Sequence, residues 1–282
     1  MSPVKRQPLL FFCPRFGSFL RMQHSSVTVG PCDGHRGCVA DIAMLAKDIP
    51  LFPVDRSCYL ADLAEARLAS PHHIGWAAIF LKAYGKIVQE NPALRSWFLP
   101  GLWPRIATTK HNVATLAVNR TDNDHEQLYW ARLHQPETKS LVEIQRFIDN
   151  CRTGPIEELF KRQCELELLP GFLRKAILRW NHRSGSHKRC SRVGTFSLST
   201  LAGYGVSNHF HPTLCTTSIS YRPIEADGRC LITLIADHRV IDGAVVARSL
   251  AHLEKVLQQE IIYELYSQRH PLATDGTPSN AA

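Results

Sequence analysis

The sequence holds nine cysteines, at 13, 32, 38, 58, 151, 164, 190, 215 and 230, yet no two of them stand at Cys-x-x-Cys spacing. An odd count without that spacing argues against a disulfide framework and a zinc site, and for a reducing compartment. None has an evident activating partner in sequence, so they read as small core or surface residues. No stretch approaches the roughly 20 apolar residues of a membrane span. Zinc-finger patterns and aromatic-interleaved basic repeats are missing, which argues against nucleic acid as a partner. There are no internal repeats. Acids are absent from two segments, everything before Asp33 and the whole of 174–192.

What is present is globular. The chain has 282 residues, 44% hydrophobic and 21% charged, enough for one large domain or two small ones with a sizeable core. A net charge of +8 favours anionic partners such as a membrane surface or a phosphorylated cofactor. Residues 1–40 carry Lys5, Arg6, Arg15 and Arg21 and read as a poorly ordered arm; an organellar presequence over 1–22 and a later start at Met22 or Met44 stay open. Otherwise the chain reads as cytoplasmic. The catalytic domain is expected over 41–265, followed by a polar, disordered tail over 266–282.

Leu231 to Ala236 is a short apolar run, suited to a buried strand. From Ala244 the period changes: Val246, Leu250, Leu253 and Leu257 define one face of an amphipathic helix. His238 emerges where the strand ends, and Asp242 and Gly243 follow in the turn. A histidine so placed can act as a general base if its ring is held in one orientation. Asp242 reads as the structural partner, locking the turn by pairing with a cation such as an arginine, and Gly243 gives the backbone room to leave it. With fourteen histidines, roughly 0.05 chance matches to His-x-x-x-Asp-Gly are expected.

Elsewhere, helices are expected over Leu60–Ala69 and Ile74–Glu90, the second ended by Asn91-Pro92. His72 and His73 read as cap or surface residues. Val113–Asn119 and Leu128–Leu133 read as strands around a polar turn, Arg120–His125. Ser140 and Glu143 form a capping box for a helix to about Cys151. Pro155 reads as the first-turn proline of a helix to about Leu169. Phe172 to Trp180 is a basic amphipathic stretch. It reads as a solvated surface helix before a flexible Ser-Gly loop, or as a contact for an acidic partner, a membrane surface or coenzyme A phosphates. Val193–Ser199 and Thr216–Tyr221 read as strands flanking the His238 strand. His209 and His211 would share a strand face, but no third ligand accompanies them, so no metal site is expected.

Asp237-His-Arg-Val-Ile-Asp-Gly-Ala244 resembles the signature of the dihydrolipoyl acyltransferase catalytic domain of 2-oxoacid dehydrogenase complexes, differing only at Ile241. Gly194-Thr-Phe-Ser-Leu-Ser-Thr-Leu-Ala-Gly-Tyr-Gly205 is similar to the family's Gly-Thr-Phe-Thr-Ile-Ser-Asn-Leu-Gly stretch. Lys47-Asp-Ile-Pro-Leu-Phe52 resembles its opening motif, and Phe80-Leu-Lys-Ala-Tyr84 with Asn91-Pro-Ala-Leu94 its second helix. Coverage runs roughly from 40 to 262. The resemblance implies a chloramphenicol acetyltransferase-like α/β fold, a two-layer sandwich of mixed sheet with helices on one face. It also implies a homotrimer, or a higher assembly of trimers, with coenzyme A and the acceptor entering a channel between subunits. His238 would be the base, Asp242 its structural partner, and Ser199 the oxyanion donor acting on a neighbouring subunit's histidine. The family's Asp-Gly-Leu-x-x-Pro strand has no counterpart in Asn119–Leu133, and Thr200 and Ala202 replace its Asn and Gly. No lipoyl domain, Pro/Ala-rich linker or subunit-binding domain is seen, so this chain is expected to carry no lipoyl group. The expected function is a stand-alone acyltransferase moving an acyl group from acyl-coenzyme A to a thiol, hydroxyl or amine. A non-catalytic trimeric scaffold, or a dehydrogenase core using another chain's lipoyl domains, are the alternatives.

Overall fold

A computed structural model describes residues 36–122 and 125–268. In chain order the elements are α1 (Gly37–Ala46), β1 (Leu51–Tyr59), α2 (Ala61–Leu68), α3 (Trp76–Glu90), β2 (Ser96–Leu99), β3 (Arg105–Thr108), β4 (Val113–Asp122), β5 (His125–His134) and α4 (Leu141–Thr153). They continue with α5 (Ile156–Leu159), α6 (Lys161–Glu167), α7 (Gly171–Arg183), α8 (Lys188–Val193), β6 (Phe196–Leu198), β7 (Thr217–Tyr221), β8 (Arg229–Asp237) and α9 (Gly243–Val256). A π turn over Leu257–Ile261 leads into α10 (Ile262–Ser267).

Six strands make a mixed sheet in the order β1-β8-β7-β6-β4-β5, with β4, β6 and β7 mutually parallel. Alternate residues of a strand face opposite ways, and the sequence divides accordingly. Leu116, Phe196, Leu198, Ile219, Tyr221, Ile232 and Leu234 turn to one face, where α3, α4 and α9 close over them in the main core. Helix α3 is buried almost all round, from Ala78 to Gly85, because α4 and α9 flank it. Tyr84 donates to Thr217 Oγ1 at 2.9 Å and fixes α3 on the sheet. The mixed α/β sheet with α3, α4 and α9 laid across this face is as expected; helices on the other face are an addition to the two layers expected. A second group, α1 and α6 to α8, stands over the opposite face around β4 and β5, with a small core of Ala46, Ile49, Val193, Leu214 and Cys215.

The sheet turns from α8 into β6 through Gly194, whose φ of +97° lies in the region that favours glycine. A Cβ there would overlap Thr115 Oγ1 and press on Cys215 Sγ at 3.3 Å. Gly194→Ala should therefore lower unfolding free energy by about 2–4 kcal/mol, from backbone strain and overpacking together. Urea unfolding at pH 7.5 measures this.

Several expectations change in detail. The β4–β5 strands run into the residues read as a turn: Arg120 and Thr121 pair with Gln127 and Glu126, because the ladder continues past its apolar part. The tip at 123–124 lies outside the described residues. Pro155 is the N-cap, not a first-turn residue, and the helix it begins breaks at Phe160, whose ring packs against Tyr129 with centroids 4.6 Å apart. Leu68, at the end of α2, is 76% exposed although apolar. The His238 strand is flanked by β1 and β7; β6 lies one strand further away, and the stretch before Phe196 is helical α8. His209 and His211 sit in a loop rather than on a strand. His209 faces Asp55 at 3.3 Å and His211 faces Ser218, so they do not form a pair.

The basic segment is less solvated than its composition suggests. Arg174 turns inward to Asp41 at 2.6 Å, beside Glu167 at 3.7 Å, and ties α7 to α1 and α6. Arg189 is fully buried, donating to the carbonyls of His182 and Leu214, with its guanidinium 4.7 Å over Trp97. The Ser-Gly stretch continues into α8. Phe172 and Trp180 instead point outward, beside Lys175, Arg179 and Arg183. Helix α1 starts within the segment 1–40, and α10 runs to Ser267. Residues 1–35 and 269–282 lie outside the described residues. Among the described residues, burial pushes the Cys58 and Cys230 thiols up to about 12 and Cys151 up to about 11, which keeps them protonated and inert. Among the described residues no helix is long and apolar enough to cross a membrane.

Candidate active site

The turn after β8 is built by Asp237. Its carbonyl accepts from the amides of Val240 and Ile241 at 3.0 and 3.1 Å. Its carboxylate accepts from Arg239 three times: the amide at 3.0 Å, Nε at 2.9 Å and Nη2 at 2.7 Å. Arg239 lies over the Phe98 ring at 4.8 Å, and Ile241 plugs the turn into the core. Asp242 is expected to pair with a cation such as an arginine; the arginine of this turn, Arg239, pairs instead with Asp237, which sits two residues before it and within reach of a bidentate grip. The sequence carried this signal in the Asp-His-Arg triplet, where a carboxylate at i faces an amide and guanidinium at i+2.

His238 is thereby pinned at both ends. Its amide donates to Pro50 O at 3.0 Å, and its ring rests against Phe52 with centroids 4.6 Å apart. Nδ1 faces Asp242 Oδ1 at 3.6 Å. That is an ion-pair distance rather than a hydrogen bond, so Asp242 orients the ring loosely. Asp242 is the N-cap of α9 through its backbone, with an 84% exposed side chain. The His238 ring is 57% exposed. An imidazole fixed at its backbone and more than half exposed is chemically suited to proton transfer with an incoming molecule.

Ser199 follows the end of β6. Its amide donates to Ile219 O at 3.2 Å, and Asn208 Nδ2 donates to its carbonyl at 3.2 Å and reaches its hydroxyl oxygen at 3.5 Å. Asn208 is itself held by Ser220, whose hydroxyl donates to Oδ1 at 2.6 Å. With the oxygen contacted by a donor, the Ser199 proton is free to donate elsewhere. Asn208 was missed in the sequence, since a lone Asn in a loop has no pattern.

The structure brings His238 and Asp242 together but not Ser199. Strand β6 is antiparallel to β8, with β7 between them. The ends of β6 and β8 are therefore at opposite edges of the sheet. Ser199 lies level with Ser220 and Thr233, five residues before His238. At about 3.3 Å per residue and two strand spacings of about 4.8 Å, the two are roughly 19 Å apart in one chain.

On the face away from α3, a cavity of ≈ 450 Å³ opens between β4–β6 and α1, α6 and α7, with Ser199 and His211 on its wall. His211 Nε2 meets Ser218 Oγ at 2.6 Å, and Ser218 joins Ser197 at 2.7 Å. Burial pushes His211 down to about 4, so it is neutral at pH 7. Burial, with Arg189 and Arg239 nearby, also pushes His182 down to about 4. In the unfolded chain both titrate near 6.5. Between those values the unfolded chain binds protons that the folded chain refuses. Their contribution to stability is complete above pH 6.5 and falls as pH drops toward 4. Urea unfolding should give a free energy lower at pH 5 than at pH 7.5 by about 2 kcal/mol for each histidine, and His211→Gln should narrow the gap.

The fold is that of dihydrolipoamide acetyltransferase cores. A probable dihydrolipoamide acetyltransferase from Listeria monocytogenes superposes with a TM-score of 0.61 at 17% identity, over 84% of this chain and 96% of that one. A truncated catalytic core of the 2-oxoacid dehydrogenase multienzyme complex from Thermoplasma acidophilum gives 0.60 at 19% identity, over 83% and 99%. The Azotobacter vinelandii dihydrolipoamide acetyltransferase, in which the roles of a serine, a histidine and an asparagine in catalysis have been investigated, gives 0.59 at 18% identity, over 83% and 92%. The sequence matches no protein-family model and no curated protein. In this acetyltransferase fold, Gly194 to Gly205 and Asp237 to Ala244 form two separate ends of one sheet.

Proposed function

We propose that the chain is an acyltransferase that moves an acyl group from acyl-coenzyme A to a thiol, hydroxyl or amine acceptor, assembled as a homotrimer or a larger set of trimers. His238 Nε2 removes the acceptor's proton, and the acceptor attacks the thioester carbonyl. Ser199 of a neighbouring subunit donates a hydrogen bond to the tetrahedral oxyanion. Collapse breaks the carbon–sulfur bond, and the coenzyme A thiolate takes the proton back from His238. Asp242 steadies the imidazolium. No metal and no lipoyl group on this chain enters the steps.

The observation that carries this reading is the placement of His238: braced by Asp237, Pro50 and Phe52, with its ring open. The separation of Ser199 from it in one chain supports a site shared between subunits. The investigated histidine and asparagine of the Azotobacter vinelandii protein stand four residues apart, as do His238 and Asp242. Incubation with a panel of acyl-coenzyme A donors, with and without dihydrolipoamide and small amines, tests it, with free coenzyme A and acylated product followed by mass spectrometry. Product with a small acceptor supports the stand-alone enzyme. Product with dihydrolipoamide alone favours a dehydrogenase core, in keeping with neighbours that are such cores. No product from folded, trimeric protein leaves a scaffold.

A further inference from the structure

The wall of the ≈ 450 Å³ cavity holds three arginines, Arg132, Arg162 and Arg192, and among the described residues no Asp or Glu. Its volume falls within the range of about 300–1,000 Å³ typical of small-molecule sites. The rest of the wall is largely apolar, with Trp130, Leu159, Leu166 and Leu178 facing in.

None of the three guanidiniums has a carboxylate partner among the described residues. Arg132 Nη2 donates to the carbonyl of Arg192 at 2.8 Å, and its Nη1 to Trp130 O. Its Nε is buried without a partner. An unpartnered buried donor on a charged group is costly and calls for an acceptor. Arg192 Nη1 donates to Asn181 Oδ1 at 2.6 Å, a neutral oxygen. Arg162 lies at the exposed rim. The three charges feel one another. Burial pushes Arg132 down to about 10, with Arg162 adding to it; burial and then Arg192 hold Arg162 below its usual value, while Glu165 outside the wall opposes them. Gathering like charges around a void without a counter-ion is unfavourable unless the counter-ion arrives with a ligand.

We propose that this cavity binds an anionic molecule with an apolar body, its carboxylate or phosphate head against Arg132, Arg162 and Arg192 and its body along Trp130, Leu166 and Leu178. Ser199 borders the same cavity, so the ligand is placed to be the acyl acceptor. That role rests on the acyltransferase reading; the binding does not.

Calorimetric titration of the whole chain at pH 7.5, without acyl-coenzyme A, tests it with octanoate, octyl phosphate, octanol and octylamine as probes. At least one of the two anions should bind about tenfold or more tightly than octanol, with octylamine weaker still. The stronger of the two anions identifies the head group. Equal affinity for octanol and the anions, or no binding of either anion, overturns the proposal. Arg162→Gln, at the rim, should lower anion affinity several-fold without unfolding the chain, and Arg132→Met should abolish the preference for anions. An anion preference unchanged in Arg162→Gln overturns the assignment to this cavity, whether or not Arg132→Met folds. The titration reads no turnover, so its failure and that of the transferase reaction are separate results.

Discussion

His238→Ala should lose about 10²- to 10⁴-fold in kcat/KM for acyl transfer, the contribution expected of a positioned general base, while the protein should still fold. The second half of that result follows from the structure. The ring is more than half exposed, and what holds the turn belongs to other atoms: the Asp237 carboxylate, the Arg239 guanidinium and the backbone of His238 itself. Truncating an exposed ring that supports nothing changes stability by about 0.5 kcal/mol or less. Steady-state kinetics beside a urea melt check both halves. A variant that keeps its turnover removes His238 from the chemistry. A variant that unfolds shows instead that the ring braces Phe52.

Ser199→Ala should cost about 10²- to 10³-fold in kcat with little change in KM, because the hydroxyl acts on charge that develops only in the transition state. The more searching experiment combines the two variants. His238→Ala and Ser199→Ala chains are unfolded, mixed in equal amounts and refolded together. If each site takes His238 from one subunit and Ser199 from the next, about a quarter of the sites in mixed cyclic assemblies carry both wild-type side chains, and activity returns to about a quarter of the native level. If the two groups served one chain, every site would stay defective. The roughly 19 Å between them within a chain makes recovery the expected outcome.

Much of this was legible in the sequence where local chemistry and period agree. The β8 run, the α9 stripe and the Ser140–Glu143 box each depend on contacts a few residues apart, and each formed where it was read. Reading failed where long-range partners decide. The strand neighbours of β8 are set by topology, and composition cannot show that β6 lies one strand away. Arg174 and Arg189 look like surface charges in a basic run, but Asp41 and the Leu214 carbonyl draw them inward. The lock on the His238 turn was assigned to Asp242, although Asp237 stood closer to the arginine. The arginine cavity was invisible for the same reason, since its three charges come from β5, α6 and α8 and meet only when α6 to α8 close over the sheet.

Strand β5 ends the sheet, and an end strand offers free amides and carbonyls to any chain that meets it. Here the side chain of Gln163, on α6, takes that offer: Oε1 accepts from the amide of Trp130 at 3.2 Å and Nε2 donates to the carbonyl of Leu128 at 2.8 Å. A single amide group thus stands in for a seventh strand. While α6 is seated, the border of the sheet is closed to strand addition at that point, and two copies of the protein cannot join there into a continuous ladder. The helix that shapes the cavity wall also blocks strand addition along this stretch of β5.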